Sequence, residues 1–144
     1  PAWSDEPPPP VEQNDRNTLT VLINSNDQLL VEEEIFDVIK LRDYAKNFIV
    51  NNGKNPELSD SPQKAIVSFK GDVGTSYDMY ISVYNELRAA YNELRNEETS
   101  KKTNGRVKTF SDLDRATSDS LIYKEIKFLV PARLSEAEPT NLGK

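Results

Sequence analysis

The chain has 144 residues, 36% of them hydrophobic, and a net charge of −6. That is about one domain with some linker, and the acidic balance, with a pI near 4.8, argues against a nucleic-acid partner, which needs a clustered basic face. Cysteine and histidine are both absent, which removes disulfides, thiolate and imidazole metal sites, and every catalytic triad built on imidazole.

Five of the nine prolines fall in the first ten residues, "PAWSDEPPPP", a composition that favours an extended polyproline II stalk over a place in a core. Residues 1 to about 17 are accordingly expected to be a tether. Trp3 has two readings, an exposed aromatic or a marker of a membrane surface at the head of the stalk. The first residue is Pro1 and no signal-like apolar region follows, so the chain is expected to be a mature or excised piece of a longer protein. Apolar runs such as Phe48-Ile49-Val50 and Phe128-Leu129-Val130 fall far short of the ~20 residues of a membrane helix, so the piece itself reads as soluble.

"TLTVLIN", Thr18 to Asn24, alternates Leu19, Val21 and Ile23 against Thr18, Thr20 and Leu22, the period of a half-buried strand. "SND" supplies a turn and "QLLVEEE" returns as a second strand, giving a hairpin. From about Asp37 the spacing of Val38, Leu41, Ala45, Phe48 and Ile49 is helical, and "NNG" at Asn51 to Gly53 stops the helix. "KNPELSDSP" is a loop by composition. "KAIVSFKG" then places Ala65, Val67 and Phe69 on one face of a strand.

In "KGDVGTSYDMYISVYNELRAAYNEL", Lys70 to Leu94, Thr75 or Ser76 is positioned to cap a helix, with Asp78 as the acidic partner of Thr75. The stripe Tyr80, Val83, Tyr84, Leu87, Ala90 or Tyr91, and Leu94 packs this helix on the sheet, leaving Asp78, Glu86, Arg88, Glu93 and Arg95 for the wet side. "ETSKKTNGRVKT" reads as a polar, poorly ordered loop, and its Lys101, Lys102, Arg106 and Lys108 as a solvated basic run. "FSDLDRATSDSLIYKEIKFLV" fits broken helical turns and is read as a helix stopped by Pro131, with "LIYKEIKFLV" open to a strand reading, and "ARLSEAE" as a last short strand.

None of this forms an active site. "KGDVGTSY" lacks the glycine and lysine spacing of a phosphate cradle, and Asp72 repels an anion. The "EEE" at Glu32 to Glu34 reads as a solvated face rather than a glycosidase pair, and Tyr77, Tyr80, Tyr84 and Tyr91 as packing rather than a carbohydrate platform. No catalytic residue, cofactor or metal is expected.

The order strand, strand, helix, strand, helix, short strand, behind a proline-rich tether, resembles the periplasmic domain of the ExbD/TolR family. "AIVSFKGDVGTSYDMYISVYNEL" carries the resemblance: a hydrophobic strand ending in a basic residue, a small residue and Asp, a short turn, and a Tyr opening a helix. Lys70, Gly71, Asp72 and Tyr77 stand at those places. "KGDVGTSY", "YNELRAAYNELRNE" and "RLSEAEP" are similar to the forms found in Bacteroidetes-type bacteria. The likeness spans roughly Thr18 to Pro139, with a segment from about Ser100 to Val130 longer than in the compact members. The family's cytoplasmic tail and transmembrane helix with its proton-responsive Asp have no counterpart in these residues.

The resemblance implies an α+β domain, with a small sheet and helices packed on one face, over residues 18–144. It further implies a single-pass inner-membrane subunit of a Gram-negative bacterium whose periplasmic end this is, working beside ExbB-like and TonB-like proteins in a proton-driven motor that energises outer-membrane transport. Open strand edges suit partner docking by strand addition and homodimer formation. Lys70, Asp72 and Tyr77 form the first candidate partner-binding cluster, and Arg133 and Leu134 of the last strand the second. Plain readings stand beside the first cluster: a local Lys70–Asp72 pair, and Tyr77 seating the helix. Within the family the alternative is a TolR-like peptidoglycan-binding domain of the Tol-Pal system. From another class, it is a periplasmic carbohydrate-active enzyme.

Overall fold

The computed structural model describes residues 15–137; Trp3, most of the expected tether and the last part of "RLSEAEP" lie outside them. The architecture is α+β. A five-stranded mixed sheet contains β1 (Thr18–Ile23), β2 (Leu29–Val31), β3 (Glu34–Ile35), β4 (Ile66–Gly71) and β5 (Leu134–Ala137), in the order β3-β2-β1-β4-β5. Three helices accompany it: α1 (Leu41–Ile49), α2 (Tyr77–Lys102) and α3 (Ser120–Leu129). The hairpin neighbours β1–β2 and β2–β3 are antiparallel, whereas β4 runs parallel to both β1 and β5.

Alternation places the core as expected. Leu19, Val21 and Ile23 of β1 and Val67 and Phe69 of β4 are buried on the helix side, where they meet Leu41, Ala45, Phe48 and Ile49 of α1 and Val83, Leu87, Tyr91 and Leu94 of α2. The intervening Thr20 and Lys70 are exposed on the other face. Phe69 is fully buried under α2, its ring 4.8 Å from that of Tyr80 and 6.5 Å from that of Tyr84.

The acidic run does not continue the second strand. Glu32 and Glu33 both take positive φ (52° and 72°), so the chain reverses there into β3, and the Glu32 carboxylate accepts the Thr20 N–H at 2.7 Å. Asp37 opens the next helical stretch by accepting the Ile39 N–H through a 3₁₀ turn over Val38–Lys40, and α1 ends at Asn52 and Gly53, both left-handed.

The loop after α1 is tied down by side chains. The buried Ser59 hydroxyl reaches the Phe48 and Ile49 carbonyls at 2.6 and 3.2 Å, satisfying the end of α1. Arg16 donates to the Leu58 carbonyl (2.8 Å) and pairs with Asp60 (2.9 Å), and Asn17 accepts the Asp60 N–H (2.8 Å). The folded part therefore includes Arg16 and Asn17, which the sequence had suggested were tether.

The larger difference lies after Glu98, where a polar loop was expected and α2 continues to Lys102. Hydroxyls that ordinarily disfavour a helix are here turned to its backbone: Thr99 donates to the Arg95 carbonyl and Thr103 to the Thr99 carbonyl, each at 2.8 Å. Asn104 and Gly105 then take the left-handed conformation that ends it. The following segment closes a second small core of Val107, Leu113 and Ile126 with Phe110 and Tyr123 against it, their rings stacked at 4.9 Å. Residues 110–119 are a 3₁₀ turn and loop, so the expected helix is confined to Ser120–Leu129.

Phe69→Ala leaves a cavity beneath both tyrosines. The expected loss is about 3–5 kcal/mol in urea unfolding; a loss below about 1 kcal/mol would contradict the central placement of this ring.

Candidate partner-docking site

Because β1 and β4 are parallel, the turns that follow them leave the sheet at the same end. They are bound to each other there. The Asp72 N–H donates to the Ile23 carbonyl (2.8 Å), and the Thr75 hydroxyl lies 3.3 Å from the same oxygen. The Ser76 N–H donates to the Asp27 carboxylate (2.7 Å). Gly74, beside Ser25, takes φ +96°, a conformation that L side chains rarely adopt. The cap of α2 is Ser76, which accepts the Met79 N–H at 3.1 Å. Thr75 is thus turned inward to β1, and Asp78 forms no capping box with it.

Lys70 is exposed on the helix-free face, between Leu22 of β1 and Ala137 of β5. Asp72 is half-buried and held through its backbone. The described ion pairs do not include one between them. Tyr77 is 76% exposed at the start of α2, so it does not seat the helix. Tyr80 does: its ring fills the space that Gly71 leaves open, where a Cβ would come within 3.1 Å, and its hydroxyl donates to the Glu136 carboxylate.

Arg133 and Leu134 lie elsewhere on the sheet margin. The Arg133 carbonyl accepts from the Val67 N–H (3.0 Å) and the Tyr91 hydroxyl (3.3 Å), while its side chain is exposed. Burial pushes the Tyr91 hydroxyl pKa well up, so it remains a donor. Leu134 packs on the core side opposite Val67. Lys70 pairs with Ala137, so about 13 Å of strand separates it from Arg133 at ~3.3 Å per residue. The two candidate clusters are the two ends of one margin.

That margin is formed by β5, a sheet edge whose Ser135, Glu136 and Ala137 are exposed. In a parallel ladder successive residues turn their backbone groups alternately inward and outward. With the Val67 N–H on the Arg133 carbonyl, Ser135 and Ala137 bond to β4. The Glu136 N–H and C=O and the Leu134 C=O then face outward; the Leu134 N–H is taken by the Ala132 carbonyl at 3.0 Å. Tyr80 and Glu136 are the site residues that sequence reasoning missed. The signal was present in Glu136, which lies two residues after Leu134 and so shares its helix-side face.

The bond from Ser76 is the main reason the Asp27 pKa is lowered. A carboxylate more easily ionised in the folded state stabilises it above the ordinary value of 3.8, and that contribution disappears as pH falls through the lower folded value. In an acid titration followed by NMR, the Ser76 amide is expected to shift with a midpoint below 3.8, and Asp27→Asn to abolish that step. A midpoint at or above 3.8 would show that the latch is not formed.

Compared with models of known protein families and with curated proteins, this sequence matches none.

Proposed function

We propose that this chain is the periplasmic domain of an ExbD-like subunit of a proton-driven inner-membrane motor, a non-enzymatic module that docks a TonB-like partner by strand addition and pairs as a homodimer. One observation carries the reading: among the described residues β5 ends the sheet with unpaired backbone groups, next to the turn built from "KGDVGTSY". An extended segment gains main-chain hydrogen bonds at such an edge without needing a folded surface of its own. The opposite edge is weaker, because β3 has only Glu34 and Ile35. Among the described residues no helix is long and apolar enough to cross a membrane, and the membrane anchoring of the whole subunit belongs to the proposal.

The test is an NMR titration of the labelled chain with peptides from the periplasmic segments of TonB-like proteins of the same genome. Shifts confined to residues 133–137 and 70–77 are expected. No shift at millimolar peptide, together with retention of the chain on purified cell wall, would instead favour a TolR-like peptidoglycan binder.

A further inference from the structure

Helix α2 has two charged flanks, and they are treated differently. On the α1 side the cations are paired across to α2: Arg42 with Glu86 (3.0 Å) and Glu93 (2.7 Å), and Lys46 with Glu93 (3.0 Å) and Glu97 (2.8 Å). On the β5 side Arg88 and Arg95 have no carboxylate partner among the described ion pairs. This happens in a chain with 24 acidic and 18 basic residues, where matching acids were not scarce.

Arg88 and Arg95 border a cleft of about 230 Å³ between α2 and β5, lined also by Tyr84, Tyr91, Leu134 and Glu136 among others. Both guanidinium groups are held in place without being neutralised. Arg88 donates to the Tyr84 hydroxyl (3.1 Å) and lies 5.8 Å from the centre of that ring. Arg95 donates to the Val130 carbonyl (2.9 Å) and stacks 4.9 Å over Phe110. A guanidinium carries five N–H donors, so most of theirs remain for a ligand. The carboxylate that lines the cleft, Glu136, is engaged by the Tyr80 hydroxyl.

A strand added outside β5 would run ~4.8 Å from it, with alternate side chains on the helix side. Those side chains lie beside Leu134 and Glu136, over the cleft. We propose that the cleft between α2 and β5 selects the docking segment by a carboxylate, so that the preferred partner is an extended peptide with an acidic residue facing α2. This rests on the strand-addition reading and adds the side-chain chemistry that main-chain pairing leaves unspecified. Opposite charge at a partly enclosed, pre-oriented arginine pair gives a bidentate, charge-assisted contact that neither glutamine nor lysine reproduces.

The experiment uses three capped synthetic octapeptides of alternating valine and threonine. They carry glutamate, glutamine or lysine at two alternate positions and are titrated into the labelled chain. The amides of 134–137 report strand addition; the side chains of Arg88 and Arg95 report the cleft. The glutamate peptide is expected to bind about fivefold more tightly than the glutamine one, with the preference falling as salt is raised. Arg88→Gln, at an exposed side chain, should remove most of the preference and leave the shifts at 134–137. Equal binding of the glutamate and glutamine peptides would overturn the carboxylate selection while strand addition stands. No shift at 134–137 with any peptide would overturn both. Cleft shifts that appear on concentrating the chain alone would make a second copy the occupant and end the proposal.

Discussion

The parallel pairing of β4 with both β1 and β5 is the constraint on which the rest of the molecule depends. A parallel partner cannot be reached by a tight turn, so each pairing demands a crossover. Both crossovers step across the sheet in the same direction, β1 to β4 to β5, and right-handed connections then carry both sets of helices to one face. The core is consequently one-sided, centred on Phe69 and the residues that α1 and α2 bring to it. The same geometry sends the turns after β1 and β4 to one end and leaves β5 as an edge of the described sheet.

An edge strand that is parallel to its neighbour and short is a natural place for another chain to attach, and proteins usually blunt such an edge. Here β5 has an exposed Glu136 in its middle, but that carboxylate is drawn towards α2 by Tyr80, away from the outward-facing backbone. The hydrogen bond ties the edge to the helix. Placement of the acids follows the same division. Glu86, Glu93 and Glu97 bind α1 to α2 as a fixed joint, whereas the flank of α2 beside β5 keeps its positive charge.

Most of the sheet was legible in the sequence, because β1 and β4 alternate strictly and their buried sets, Leu19-Val21-Ile23 and Val67-Phe69, follow from that period alone. The stripe of α2 and its cap at Ser76 were legible for the same reason: both are local. What escaped depends on distant contacts. Polar residues from Thr99 to Thr103 conceal the end of a helix held by side chain–backbone bonds, and the ordered segment after it rests on Phe110 and Tyr123 stacking with Arg95 alongside. Composition also counted Glu86, Glu93 and Arg95 as solvated. The first two are in ion pairs with α1, and Arg95 is half-buried, with burial lowering its pKa. In the candidate site, Lys70, Asp72 and Tyr77 lie near one turn, but the choice of Tyr80 over Tyr77 as the seated ring required the depth of Gly71. The arginine cleft joins residues about forty positions apart and has no sequence signature.

The central claim is that β5 presents a free backbone edge, and amide hydrogen exchange at that strand tests it most directly. In the chain alone, at a concentration low enough to exclude self-association, the Ser135 and Ala137 amides should be protected by β4 while the Glu136 amide exchanges at the rate of an open group. Equal protection of all three would mean that the edge is already covered, which would contradict the account.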